Sequence, residues 1–281
     1  MPHASAANNE NMRPLTIIAD SNIASLDEFF NASTLGQNNK RPVNIISVAG
    51  RAINAQLLAE YQPDVLLIRS VTPVGEPLLA NNNTVQFVGS ATIGTDHVDQ
   101  TYLAARNITF ANAAGCSKHS VAQYVLTAIL NLRPQYWQKS TPPVTLGIIG
   151  LGNIGSTLVE YAHDLGWQVL GYDPILPAST INNASFEQVL SQSHVISLHV
   201  PLTDKKHATN PTGSDYPTRH LIDKEALAAM PADTLLINSA RGPVINADDL
   251  QADIARTGRQ VVLDVFEHEP EIAESLLSKL A

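Results

Sequence analysis

Six residues near the middle of the chain, Gly150-Leu151-Gly152-Asn153-Ile154-Gly155, constrain its fold more than any other stretch. Just before them, Thr145 to Ile149 (TLGII) reads as a short buried strand, and just after them Ser156 to Leu165 carries a helical pattern. The next apolar run, Trp167 to Tyr172, ends in Asp173. Strand, glycine turn, helix, strand and acid, in that order, make up the turn that holds the phosphates of a dinucleotide. In such a turn Gly150 allows the tight bend, Gly152 lets backbone come close to a pyrophosphate, and Gly155 lets helix and strand pack closely. The start of the helix adds N–H groups and the positive end of a dipole. A carboxylate at Asp173 would accept hydrogen bonds from the adenosine ribose and repel a 2′-phosphate, which selects NAD over NADP. Glycine spacing by itself also fits a plain strand–helix turn, so the flanking strand, helix and acid carry the reading.

Apolar, β-rich runs alternate with helical patterns on both sides of this turn, as in parallel sheets with crossover helices. Strands are expected at Leu15–Ala19, Val43–Val48, Val65–Ile68, Val85–Gly89 and Ile108–Ala111, then at Thr145–Ile149, Gln168–Tyr172, Val195–His199, Thr234–Asn238 and Gln260–Asp264. Helices are expected at Ile53–Tyr61, Val98–Arg106, Ser117–Leu132, Ile154–Leu165, Phe186–Ser191, Lys224–Met230 and Ala247–Arg256. The fold class is α/β, with two Rossmann- or flavodoxin-like domains of parallel sheet and a cleft between them. Residues 1–13, polar and rich in Ala and Asn, read as a disordered extension, 14–116 as a substrate domain and 117–281 as the dinucleotide domain. Asp204 to Thr218 reads as a surface insertion.

Composition narrows the function. The 281 residues carry a formal net charge of −9, which argues against a nucleic-acid or anionic-membrane surface. A few placed cations would still suffice for a small anion. No apolar stretch approaches the ~20 residues of a membrane helix, and residues 1–13 lack the apolar core of a signal peptide, so a cytoplasmic protein is expected. Cys116 is the single cysteine, which leaves no internal disulfide. The histidines show no metal-ligand spacing, and no metal is expected.

Candidate chemistry lies at strand ends. Ser239-Ala240-Arg241-Gly242 follows the strand Thr234–Asn238, a position that faces the ligand crevice of such a sheet. The planar fork of Arg241 suits a carboxylate, the alternative being a solvated surface arginine. Asp264 ends the last strand and could meet the nicotinamide end of the cofactor, and Glu269 lies in the loop beyond, beside His268. These acids and the histidine read equally as an acid–base cluster or as a charged surface loop. Arg69-Ser70-Val71-Thr72 and Gly89-Ser90-Ala91-Thr92-Ile93-Gly94-Thr95-Asp96 also follow strands and are rich in donors, which suits either oxyanion binding or ordinary turn chemistry.

Taken together, GLGNIG with Asp173, NSARG (Asn238–Gly242) and LDVFEHEP (Leu263–Pro270) resemble the D-isomer-specific 2-hydroxyacid dehydrogenase family, from about Leu15 onward. IRSVT (Ile68–Thr72), FVGSATIGTDHVD (Phe87–Asp99) and AAGCSKHSVAQYV (Ala113–Val125) point to a branch that acts on a small phosphorylated hydroxy acid. The resemblance implies an NAD-dependent enzyme and a homodimer. It implies that Arg241 grips the substrate carboxylate, Glu269 partners the catalytic histidine, and Ser70 and Thr92 contact substrate. It also implies that Asn153 and Ile154 lend backbone to the pyrophosphate, that Asp173 binds ribose, and that Val200, Ser239, Ala240, Arg241 and Asp264 touch NAD. Valine at 200 departs from the threonine usual in that branch, so a backbone contact there survives and a hydroxyl contact does not. The family's catalytic histidine belongs to a Pro-His segment beyond the Glu-Pro loop, which these 281 residues do not reach; the dinucleotide domain is therefore expected to be C-terminally incomplete. Two further readings stay open: a related dehydrogenase of 3-phosphoglycerate or an unphosphorylated acid, and a non-catalytic NAD-binding module.

Overall fold

The computed structural model describes residues 13–29, 42–137, 143–177, 184–206, 213–269, 271, 272, 274, 277 and 278. Most of the expected extension and part of the Asp204–Thr218 insertion lie outside them. The chain forms two compact units, Met1–Ala114 and Gly115–Ala281.

The first unit runs β1 (Leu15–Asp20), α1 (Leu26–Phe29), β2 (Val43–Val48), α2 (Ala55–Tyr61), β3 (Val65–Ile68), α3 (Glu76–Leu79), β4 (Phe87–Ser90), α4 (Gln100–Ala105) and β5 (Thr109–Asn112). All pairings are parallel, in the order β2-β1-β3-β4-β5. Period-two side chains bury both faces. Ile18, Leu66, Ile68 and Val88 pack with Leu58 of α2, Leu79 of α3 and Leu103 of α4. Ile17, Ala19 and Leu67 face the other way, toward Leu26. Arg13 anchors the entry to β1 through an ion pair of 2.9 Å with Asp64.

Several boundaries differ from the sequence reading because side-chain caps set them. Asn54 accepts from Leu57 N–H and Asp99 from Tyr102 N–H, so α2 and α4 begin one residue after each cap, later than apolar periodicity suggests. Val85 donates its N–H to Asn82 Oδ1, which delays the start of β4 to Phe87. Ile108 N–H bonds Leu103 O, which leaves Ile108 with the exit of α4 and starts β5 at Thr109. The four-residue helices α1 and α3 carry too little periodicity to read.

The second unit runs α5 (Lys118–Leu132), β6 (Thr145–Ile149), α6 (Asn153–Asp164), β7 (Gln168–Tyr172), α7 (Phe186–Gln192), β8 (Val195–Leu198), α8 (Lys224–Ala229), β9 (Leu235–Asn238), α9 (Ala247–Thr257) and β10 (Val261–Leu263). The sheet is again parallel, in the order β10-β9-β8-β6-β7. β8 and β9 are buried along their whole length, as continuous apolar runs between two helix layers should be. Leu146, Ile148, Val195 and Ile237 pack on α5 and α6, while Ile149, Ile196, Leu198 and Leu236 pack on α7, α8 and α9. Each fully buried side chain of this size contributes about 1.5–3 kcal/mol.

At the amino ends of β9 and β10 a buried cation closes the unit. Arg259 Nε donates to Asp253 Oδ2 at 2.6 Å, Nη1 to Pro231 O at 2.8 Å and Nη2 to Leu227 O at 3.1 Å. Neither side chain of the pair is open to solvent, so the carbonyls at the end of α8 and the Asp253 carboxylate replace water around the guanidinium.

Candidate nucleotide and hydroxy-acid site

In a doubly wound sheet the ligand crevice lies at the carboxyl ends of strands, where the strand order reverses. In the second unit that point falls between β6 and β8. Gly150 leaves β6 at φ +95°, and a Cβ there would stand 2.6 Å from His199 O, so both conformation and space demand glycine. A Cβ on Gly155 would lie 2.0 Å from Gly150 O, which seats α6 on the strand end. Gly152, the residue before α6, meets nothing within 4 Å of such an atom. The helix start at Gly152 is thus open where a side chain would otherwise stand, the condition for a close approach of phosphate to its backbone.

Asp173 is tied to this turn. Its Oδ2 accepts from Leu151 N–H at 3.0 Å and its Oδ1 from Ile175 N–H at 3.1 Å, while Gly150 N–H bonds Tyr172 O at 2.9 Å. A cavity of about 310 Å³ opens here, lined by Gly150, Gly152, Tyr172, Asp173, His199 and Val200. Ser214 to Thr218 line it as well. Thr218 N–H bonds Thr203 Oγ1, and Lys206 N–H bonds Ser214 O. The described part of the expected surface insertion therefore folds back as a wall of the cavity.

His199, at the end of the expected strand Val195–His199 and a residue that could approach the cofactor, is among those lining this cavity. Ser197 Oγ lies 2.9 Å from its Nε2, and Nδ1 is buried without a partner. Burial pushes its pKa down from 6.5 to about 4, so the ring is neutral at physiological pH.

The turn after β9 is held by Asn238, a buried residue. Asn238 Oδ1 accepts from Ala240 N–H at 3.0 Å and Nδ2 donates to Arg241 O at 2.9 Å. Arg241 Nη1 donates to Ala240 O at 2.7 Å, and Ser239 Oγ is buried without a partner. Asp264, beyond β10, bonds Asn238 O through its N–H at 3.0 Å. Tyr124 of α5 has its pKa raised by burial and by the Asp264 charge. Glu269 is exposed, and its Oε1 accepts from Phe266 N–H at 2.7 Å. The histidine–acid pair in this region is a different one, unread in the sequence: His220 Nε2 lies 2.6 Å from Glu267 Oε1 across 47 residues of chain.

In the first unit, Ser70 and Thr92 follow β3 and β4, neighbours in the sheet, so both stand at the same carboxyl edge. Ser70 is exposed. Thr92 Oγ1 lies 2.8 Å from Ser90 Oγ, which in turn lies 3.3 Å from His97 Nε2. Thr72 turns inward and donates to Gly50 O at 2.9 Å, which removes it from the set of surface donors. Among the described residues no group of His, Cys, Asp or Glu could hold a metal ion, and no helix is long and apolar enough to cross a membrane.

Residues 131–281 match the family model of the D-isomer specific 2-hydroxyacid dehydrogenase NAD binding domain, and the chain belongs to this family. It is thereby an NAD-dependent oxidoreductase of CH–OH donors. Its sequence is 71% identical over 279 residues to an erythronate-4-phosphate dehydrogenase of Psychrobacter cryohalolentis, covering 96% of this chain and 72% of that one. It is 73% identical to the enzyme of the same name from Psychrobacter arcticus (96% and 74% covered) and 46% identical to that of Acinetobacter baumannii (95% and 69%). Similar solved structures include D-lactate dehydrogenase of Aquifex aeolicus complexed with NAD and lactic acid (TM-score 0.72, 24% identity, 94% of this chain and 85% of that one). NAD+-bound 3-phosphoglycerate dehydrogenase of Entamoeba histolytica has TM-score 0.72 at 20% identity, with 95% and 84% covered. These last two likenesses speak to the fold alone.

Proposed function

We propose that the protein oxidises 4-phospho-D-erythronate to 2-oxo-3-hydroxy-4-phosphobutanoate with NAD+, a step of pyridoxal 5′-phosphate synthesis. The observation that carries the cofactor half is the glycine turn locked to Asp173 at the strand-order reversal. The substrate half rests on the resemblance to enzymes named for erythronate 4-phosphate.

NAD+, when bound, supplies the acceptor for the hydride from the carbon bearing the 2-hydroxyl. Gly152, Asn153 and Ile154 present backbone to the pyrophosphate, and Asp173 accepts from the ribose hydroxyls. Val200, Ser239, Ala240 and Asp264 line the remainder of the nucleotide. Val200 has no hydroxyl to give, so its part is backbone and shape. The Arg241 guanidinium holds the substrate carboxylate through its paired N–H groups and polarises the reacting centre. Ser70 and Thr92 are the substrate contacts of residues 14–116, the proposed substrate domain, and residues 117–281 hold the nucleotide. The Glu269 carboxylate orients the family's catalytic histidine and favours its protonated form once the hydroxyl proton has been taken.

Formation of NADH from purified protein is the test, with 4-phospho-D-erythronate compared against D-3-phosphoglycerate and D-erythronate. Turnover is expected with the first at a kcat/KM at least about a hundredfold above either other acid, because a site that pairs a phosphate and a chain of this length leaves polar groups unpaired with the others. Equal rates with D-3-phosphoglycerate would replace the substrate. A homodimer and a cytoplasmic location complete the proposal, to be checked by sedimentation and by cell fractionation.

A further inference from the structure

Two loops of the second unit carry the residues to which the proposed function gives the acid–base and carboxylate-binding roles: Arg241 after β9, and Glu269 after β10. We propose that His220 and Glu267 form a latch that holds these two loops in register, which makes both of them positioning residues; the inference rests on the proposed roles of Arg241 and Glu269.

Four observations converge on the latch. The segment 220–222 is strapped along the exit from Arg241, with His220 N–H on Pro243 O at 2.8 Å, Ile222 N–H on Val244 O at 3.0 Å and Asn246 N–H on Ile222 O at 3.0 Å. From that strap the His220 ring reaches across to the other loop, Nε2 to Glu267 Oε1 at 2.6 Å. Glu267 is engaged on both oxygens, since Oε2 accepts from Ala247 N–H, the first residue of α9, at 3.0 Å. Finally, the two loops touch backbone to backbone. A Cβ on Gly242 would lie 2.0 Å from the Phe266 carbonyl and 2.4 Å from Glu267 N, so only glycine at 242 lets the two loops come this close.

The geometry transmits position. Phe266 N–H is the donor that orients the Glu269 carboxylate, at 2.7 Å, and the carbonyl of the same residue lies against Gly242, the neighbour of Arg241. A shift of either loop therefore moves the other. The latch also has a defined polarity. Asn246 Nδ2 stands 3.5 Å from His220 Nδ1, which suits a ring that accepts at Nδ1 and donates from Nε2 to the carboxylate. Burial works to raise the Glu267 pKa, yet the hydrogen bonds from His220 and Ala247, with smaller contributions from His220 and His268 when they are protonated, hold it below the usual carboxylate value. Glu267 therefore stays an acceptor across the physiological range. His220 sits at φ +54°, a left-handed conformation that asparagine tolerates, so His220→Asn removes the reach of the ring and keeps the backbone.

The test combines amide hydrogen exchange with steady-state kinetics on the full chain. In His220→Asn, exchange of the amides in 241–244 and 266–269 should rise together by about tenfold, while those of Gly150–Gly155 stay unchanged. The kcat with 4-phospho-D-erythronate should fall by about tenfold, with KM for NAD+ within about twofold. His220→Gln, which can still donate toward Glu267, should recover most of both effects. His220→Asn with Glu267→Gln should be no worse than the worse single variant. The exchange measurement needs no turnover and decides the latch by itself: unchanged exchange, or a rise in one loop alone, overturns it. Loosening of both loops with undiminished kcat would overturn its part in positioning. Arg241→Ala serves as the control for the underlying reading. Activity surviving that change removes the roles on which the inference rests, whereas loss there with full activity in His220→Asn removes the latch alone.

Discussion

The two sheets of this protein share a strand count, a direction and a strand-order reversal, yet they build the carboxyl ends of their strands from different materials. In the second unit the rim is backbone: Gly150 at φ +95°, Gly155 under a carbonyl, Gly242 against Phe266, and carboxylates and amides that tie loops by their N–H groups. In the first unit the rim is side-chain hydroxyls, with Thr92 linked to Ser90, Ser70 exposed, and Thr72 turned inward to Gly50. A backbone rim admits one residue type at each close approach. A hydroxyl rim admits several, and its members serve turns as readily as ligands.

The largest expected effect sharpens this contrast within a single turn. Gly155→Ala places a methyl 2.0 Å from Gly150 O and should destabilise the fold by about 3 kcal/mol or more, read by urea unfolding. Gly152→Ala meets nothing in the protein and should leave unfolding within about 0.5–1 kcal/mol of the parent while greatly weakening NADH binding by fluorescence titration. If both changes cost stability equally, the open approach at Gly152 is not a ligand site.

Arg241→Ala comes next. The loss of a bidentate charge-assisted contact should lower kcat/KM by about a thousandfold, with little change in NADH affinity. Near-normal turnover would remove Arg241 from the mechanism.

His199 stands against Ser197 in the second unit's rim as His97 stands against Ser90 in the first. The His199 pKa of about 4 in the fold lies below its ordinary 6.5, so the unfolded chain binds the extra proton first. Stability is therefore full above about pH 6.5 and falls as pH drops toward 4, by up to roughly 3 kcal/mol from this group. His199→Gln should flatten that part of the stability–pH curve measured by urea unfolding; an unaltered slope would show that other groups set it.

Asp173→Asn keeps one acceptor and removes the charge. NADH affinity should drop about tenfold and discrimination against NADPH should shrink, both measured by titration. The smallest effect belongs to the hydroxyl rim. Thr92→Val should raise the substrate KM by about fivefold, around 1 kcal/mol, and leave NADH affinity alone. A larger loss than that of Asp173→Asn would reverse the ranking of the two rims.

The same contrast explains what could be read in the sequence. Thr145–Ile149 and Val65–Ile68 match the observed strands because strands buried on both faces leave continuous apolar runs, whereas the edge strands Gln168–Tyr172 and Val43–Val48 match as short β-branched and apolar runs of strand length. Gly150 and Gly155 were legible because sterics excludes the alternatives, and Gly152 because the spacing of the three places it where a phosphate needs open backbone. Helix starts were misjudged where Asn54 and Asp99 cap, since a cap is a polar residue that apolar periodicity ignores. The His220–Glu267 pair left no trace at all. Its members are 47 residues apart, and the strap that joins them depends on the bridge Ile222–Ile245, a contact of tertiary structure. Asn238 was read as a strand end, but its task of holding the Arg241 turn by both amide atoms follows only from the folded turn.

The buried Asp253–Arg259 pair sits at the amino ends of β9 and β10, the pole of the sheet farthest from the glycine turn. Removing one member strands a charge without water and would cost about 3–5 kcal/mol, whereas an apolar replacement of both need cost nothing. The parallel strands thus carry a buried ion pair at one end and the glycine turn at the other, so a change at Asp253 or Arg259 reaches stability without touching Gly150–Gly155.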